Sequence, residues 1–147
     1  MKGHPRVISY LQRAVNHEFS AVQQYVLQAV QAEMLGLKQF SADLRQGVQE
    51  ELRHAEEFVG RMLRLGVTPH AGQPRAPQIG NSYIELLRFG LATEVDAIRL
   101  YREAAQFCER IGDVENQALF VRILNDEVNH FHELERALQA LGNRSAA

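Results

Sequence analysis

The sequence has one cysteine, Cys108, so it can close no intramolecular disulfide and carries no Cys-x-x-Cys cluster. It also lacks an excess of either charge: 16 basic residues stand against 18 acidic ones, for a net charge of −2. Bulk electrostatics therefore gives no reason to expect nucleic-acid binding. No apolar run approaches the roughly 18 residues that a membrane span needs. The opening Met1-Lys2-Gly3-His4-Pro5-Arg6 is basic but has no apolar segment of the signal-peptide kind. A reducing cytoplasm, away from membranes, is the expected setting. Proline is scarce, and three of the four, Pro69, Pro74 and Pro77, fall in one stretch. What remains, 46% hydrophobic and 23% charged over 147 residues, is the composition of one folded domain spanning 1–147.

Apolar residues recur with helical period on both sides of the proline-bearing stretch. Val7, Leu11, Ala14, Ala21, Tyr25 and Ala32 mark a first helix that opens near Pro5 and stops near Gly36. Phe40, Leu44, Val48, Ala55, Phe58 and Met62 mark a second, from about Gln39 to Leu65, with Gly66 behind it. Residues 67–81 cannot form a regular helix. Ser82-Tyr83-Ile84-Glu85 reads as a capping box for a third helix, whose stripe runs Ile84, Leu87, Leu91, Ile98, Tyr101, Ala105 and Cys108. Gly112 ends it and Asp113 caps a fourth, with Phe120, Ile123, Leu134, Leu138 and Leu141 on one face. After it only Gly142 to Ala147 should follow. The expected fold is all-α: an antiparallel four-helix bundle with one long crossover between helices two and three.

Ionisable residues interrupt these apolar stripes. Glu51 and His54 form a Glu-x-x-His on the second helix, and Glu127 and His130 form another on the fourth. Spaced i and i+3, carboxylate and imidazole point the same way. Glu18 and Glu94 sit on the other two stripes. One shift of 76 residues carries Glu18, Glu51 and His54 onto Glu94, Glu127 and His130. It also pairs Tyr25 with Tyr101, Ala21 with Ala97, Glu50 with Asp126, and Gly66 with Gly142. Two related helical hairpins predict a pseudo-two-fold axis through the acid cluster.

Four carboxylates in one core cannot stay charged unneutralised, because each unpaired buried charge costs several kcal/mol and a domain has only about 5–15 kcal/mol in reserve. No lysine or arginine lies on the inward stripes to answer them. Four carboxylates and two neutral imidazoles carry four negative charges, which two divalent cations cancel. Carboxylate-rich sites with one imidazole per metal, and no thiolate, suit iron or manganese. Four glutamates and two Glu-x-x-His histidines are the donor set of di-iron and di-manganese bundles. Glu51 and Glu127 are placed to bridge, Glu18 and Glu94 to bind at the ends, and His54 and His130 to give one nitrogen each. Tyr25 and Tyr101 lie two turns beyond Glu18 and Glu94, either hydrogen-bonding ligand carboxylates or simply packing as core aromatics. Fe(II) is the readily oxidised choice, with O₂ or H₂O₂ accepting two electrons from the pair.

Asn16-His17-Glu18-Phe19-Ser20-Ala21-Val22-Gln23-Gln24-Tyr25, with Glu50-Glu51-Leu52-Arg53-His54-Ala55-Glu56 and Asp126-Glu127-Val128-Asn129-His130, resembles bacterioferritin of the ferritin-like superfamily. The likeness runs from about residue 5 to 141. It implies a ferritin-like bundle. It also implies ferroxidase ligands at Glu18, Glu51, His54, Glu94, Glu127 and His130, with Tyr25 as the near-site tyrosine. The implied activity is oxidation of Fe(II) by O₂ or H₂O₂, with ferric mineral stored in a homo-oligomeric shell. Two features depart from the family. Leu52 stands where bacterioferritins carry the methionine that ligates b-type haem, which argues against haem. No residues are left for the fifth helix that lines an axis of the 24-subunit cage, so a dimer or a dodecamer competes with the larger shell. Rival readings are a peroxide-reducing enzyme of rubrerythrin or manganese-catalase type, and a small shell that protects DNA. The front of the chain carries only Lys2 and Arg6, where DNA-binding shells have lysine-rich tails.

His17 points about 100° away from Glu18 and is expected at solvent or a subunit contact, as His132 is beside His130. Either is a candidate for an access pore. Glu50 and Asp126 flank the bridging glutamates and are read as charged surface, or as residues passing iron inward. His4 and His70 are assigned nothing, and Cys108 is read as a small core residue.

Overall fold

The computed structural model describes residues 2–70, 72 and 75–146; Met1, Ala147 and the connection's Pro74 lie outside them. The described residues form four helices: α1 (Pro5–Met34), α2 (Lys38–Arg64), α3 (Tyr83–Arg110) and α4 (Val114–Ala146). His4 caps α1, its Nδ1 accepting from the Arg6 amide at 3.1 Å, and Pro5 occupies the first turn. The sharp returns after α1 and α3 fall on Gly36 and Gly112, at φ of 79° and 71°, a region that side chains disfavour. Ser82 Oγ accepts from the Glu85 amide at 3.3 Å. The Glu85 carboxylate reaches one residue further back than in a capping box, to the Asn81 amide. Asp113 caps α4 by accepting from the Asn116 amide at 3.2 Å.

The fourth helix is longer than the sequence pattern implies. It continues through Gly142, expected to lie beyond it, to Ala146. A glycine ends a helix only when the chain turns left-handed there, and Gly142 does not.

Contacts between the helices fix their directions. Tyr25 meets Glu94 while Tyr101 meets Glu18, so α1 and α3 are antiparallel. His54 meets Asp126, Arg122 meets Glu57 and Arg61 meets Asn116, so α2 and α4 are antiparallel too. Helix α2 therefore runs parallel to α3, and residues 65–82 must travel the length of the bundle. Three glutamines of α1 pin that crossover. Gln12 both donates to and accepts from the His70 backbone, Gln24 does the same with Gln78, and Gln31 with Gly80. Each pair satisfies a backbone donor and acceptor that no helix serves.

The buried apolar residues form two clusters rather than one. The first gathers Val7, Leu11, Phe58, Tyr101, Phe120 and Ile123; the second gathers Ala21, Ala29, Phe40, Leu44, Leu86 and Leu87. Glu18, Glu51, Glu94 and Glu127 fill the layer between, none more than 1% exposed. Fully burying one large apolar side chain stabilises by about 1.5–3 kcal/mol. The two clusters can thus hold a polar layer in place, provided its charge is answered.

Candidate metal centre

Every helix contributes to the layer. Glu18 comes from α1, Glu51 and His54 from α2, Glu94 from α3, and Glu127 and His130 from α4. Their donor atoms fall into two overlapping groups, Glu18–Glu51–His54–Glu127 and Glu51–Glu94–Glu127–His130, each within 4.8 Å. Glu51 and Glu127 belong to both. His54 Nδ1 lies 2.9 Å from Glu127 Oε1 and 3.7 Å from Glu18 Oε1. His130 Nδ1 lies 3.3 Å from Glu51 Oε1 and 3.9 Å from Glu94 Oε1. Each imidazole thus faces the Glu-x-x-His glutamate of the opposite hairpin, a contact no sequence spacing reveals.

The inward atoms are unsatisfied. Glu18 Oε2, both oxygens of Glu51, His54 Nδ1, Glu94 Oε2 and Glu127 Oε1 are buried with no hydrogen-bond partner. Native structures leave few such atoms, and here they converge on one place. Carboxylate oxygens and imidazole nitrogens are donors for hard-to-borderline divalent cations, so the residues present fit a pair of such ions.

The outward atoms, in contrast, are tied. His54 Nε2 bonds Asp126 Oδ2 at 2.8 Å, and His130 Nε2 bonds Glu50 Oε2. With Nε2 bonded outward, Nδ1 is the nitrogen that faces the cluster, and it can ligate a metal once its proton is lost. Tyr25 donates to Glu94 Oε1 at 2.5 Å, and Tyr101 donates to Glu18 Oε1. Both tyrosines are bonded to cluster carboxylates, which decides between the two roles open to them. Each serves a glutamate of the opposite hairpin.

Protons settle the charge of the side chains themselves. Burial, then the charge of Glu51, raises the Glu18 carboxyl well above its ordinary range. Burial, then the charge of Glu94, does the same to Glu127, and burial also raises Glu94. Burial opposes the charge of Glu51 as well, but the neighbouring Glu18 carboxyl and the His130 and His54 imidazoles outweigh it and hold that carboxylate below the usual range. Burial disfavours the charged imidazoles too, yet the surrounding carboxylates win. They raise His54 strongly and bring His130 to about 9.

The structure brings together all seven residues that the sequence singles out, Tyr25 included. Glu50 and Asp126 do more than flank the bridging glutamates: they bond His130 and His54, partners on a different helix that spacing does not show. The one signal was their pairing under the shift of 76. His17 needs correction: it is buried, not solvated. Its ring stands edge-on to Tyr101 at 6.2 Å between centroids, and burial lowers its pKa to about 4. Helix α3 and the crossover's Arg75 cover the side of α1 that the two-hairpin picture left open. His132 is exposed, 3.6 Å from Glu135, and Cys108 is fully buried.

Asp126→Ala tests the outer bonds. Freeing the His54 ring should weaken divalent-metal binding by about 10–100-fold without lowering the melting temperature of the metal-free protein, as titration with Mn(II) and thermal melts would record.

A family model described as a ferritin-like domain matches residues 8–143. Bacterioferritin of Rhodobacter capsulatus is 34% identical over 135 residues, covering 92% of this chain and 84% of that protein. Bacterioferritin of Brucella melitensis is 32% identical, covering 96% of this chain and 88% of that protein. A bacterial ferritin of Synechocystis is 30% identical, covering 94% and 89%. The family model and these relatives span nearly the whole bundle that carries the acid layer, and the chain belongs to the ferritin-like family, alongside the bacterioferritins.

Proposed function

We propose that this chain is a ferroxidase. It takes Fe(II) as substrate, two ions per chain, at Glu18, Glu51, His54, Glu94, Glu127 and His130, and supplies Fe(III) for storage. The observation that carries the reading is the convergence of unpartnered carboxylate and imidazole atoms on two overlapping groups. Paired Fe(II) ions give up one electron each, the two that, with two protons, turn O₂ into H₂O₂ or turn H₂O₂ into two waters.

The chain's own part is positioning and charge. Glu51 and Glu127 are shared by both groups and hold the ions side by side. Glu18 and Glu94 bind at the two ends, each steadied by a tyrosine hydroxyl. Asp126 and Glu50 keep His54 and His130 aimed inward. Two apolar clusters flank the layer and limit water's access to it. Leu52, half-buried beside α1's apolar residues, offers no haem ligand.

Storage further requires an enclosed assembly of copies. Phe19, Val26 and Val30 expose nearly half of their surface along α1, which suits burial against another copy. Native mass measurement would distinguish a dimer, a dodecamer and a larger shell.

Anaerobic Fe(II) titration should saturate near two ions per chain, and adding O₂ or H₂O₂ should then oxidise them within seconds. Comparing the two oxidants fixes the physiological one. A chain that consumes H₂O₂ catalytically, releasing gas or oxidising an added donor without retaining iron, would instead be a peroxide enzyme.

A further inference from the structure

The shift of 76 residues maps one half of the cluster onto the other, yet the two ends of the acid layer differ. Around Glu18 and His54 the layer is sealed. Phe58, Tyr101 and Phe120 pack ring against ring, with centroids 5.3, 5.5 and 6.2 Å apart, and Ile123 completes a wall with no exposed surface. Around Glu94 and His130 a cavity of about 280 Å³ reaches in between α2 and α4. Exposed Asp43 and Glu133 stand among its lining, and so do Glu94 and His130. The His130 side chain is correspondingly 17% exposed, against 4% for His54.

Three substitutions between the halves account for the difference. The shift carries Leu44 onto Phe120, Phe58 onto Leu134 and Gly47 onto Ile123, and the larger side chain is always at the sealed end. Gly47 is the extreme case. It sits in the middle of α2, where glycine weakens a helix. Nothing in its surroundings demands it: its φ is not positive, and an added Cβ would meet no atom within 4 Å. What the missing side chain leaves is room. A second cleft, of about 250 Å³, runs along the outer edges of both histidines, but Glu50 and Asp126 bond those edges and none of the four buried glutamates lines it.

We infer that Gly47 determines access to the site: divalent cations enter through the cavity it opens, meeting Glu94 and His130 first and the Glu18–His54 side second. The occupant is a cation because Asp43, Glu50 and Glu133 line the way in and an unpartnered oxygen, Glu94 Oε2, waits at the inner end. The inference rests on the two-ion site proposed above.

Loading can be read apart from turnover. Metal-free full-length protein is mixed in a stopped-flow instrument with Co(II), and uptake is followed by its visible absorption. Gly47→Leu should load roughly tenfold more slowly than the parent, reach the same two ions per chain, and melt no lower. Gly47→Ala, which fills little of the cavity, should load within about twofold of the parent. Equal loading rates for Gly47→Leu and the parent, with two ions bound by both, would overturn the inference and leave the site intact. A parent that takes up no Co(II) would overturn the site and this inference with it.

Discussion

Glu127→Ala should lower the rate of Fe(II) oxidation by at least about 100-fold and prevent the second ion from binding. Glu127 belongs to both donor groups, and its Oε1 is buried without a hydrogen-bond partner 2.9 Å from His54 Nδ1. Removing it takes a ligand from both ions at once and leaves His54 Nδ1 only its longer contacts with Glu18 and Glu51. Metal-free stability should move the other way. Glu127→Gln keeps the shape while removing a carboxyl whose charged form burial opposes, so the metal-free variant should melt at or above the parent's temperature. Addition of Mn(II) should reverse the order, because only the parent gains the full binding free energy. Thermal melts with and without Mn(II), beside oxidation rates, check both halves. A structural role alone would lower stability under both conditions.

Loading with Fe(II) should release protons, and affinity should rise with pH. Glu18, Glu94 and Glu127 have raised pKa values, so they keep protons at pH values where exposed carboxyls have lost them. His54 is raised as well, and His130 titrates at about 9, so both imidazoles are cationic near neutrality. Each ligand must lose its proton to coordinate. A pH-stat titration at pH 7 should therefore count more than one proton per ion, roughly two. The sign for stability follows by linkage. A group whose pKa is raised on folding stabilises most below its unfolded value and loses that contribution as pH climbs through the folded one. Metal-free protein should thus lose stability as pH climbs toward and past 9. Glu51, held low, works in the opposite sense and weakens the fold only in acid. With two ions bound the alkaline loss should disappear.

The sequence makes some of this legible because a helix repeats every 3.6 residues. An acid on an apolar stripe must be buried, and i, i+3 partners must point together, so Glu18, Glu51, His54, Glu94, Glu127 and His130 can be found without coordinates of any kind. Capping chemistry likewise marks α1 at Pro5 and α3 at Ser82. What periodicity cannot give is which face meets which neighbour. Glu50 and Asp126 look like ordinary surface on their own helices, and only the packing of α2 on α4 shows that each holds a histidine of the other. His17 reads as solvated because it faces away from the cluster, yet α1 is covered on that side too. The glutamines at 12, 24 and 31 read as polar surface until the crossover lies along them. Gly142 resembles a stop by analogy with Gly66, but its backbone stays helical, where Gly66 turns left-handed.

Anomalous X-ray diffraction from crystals soaked in Mn(II) examines the site itself. Two peaks per chain are predicted inside the bundle, both touching Glu51 and Glu127, one also touching Glu18 and His54 and the other Glu94 and His130. Well-diffracting crystals that show no such pair, with the glutamates paired to protons or protein groups instead, would contradict it.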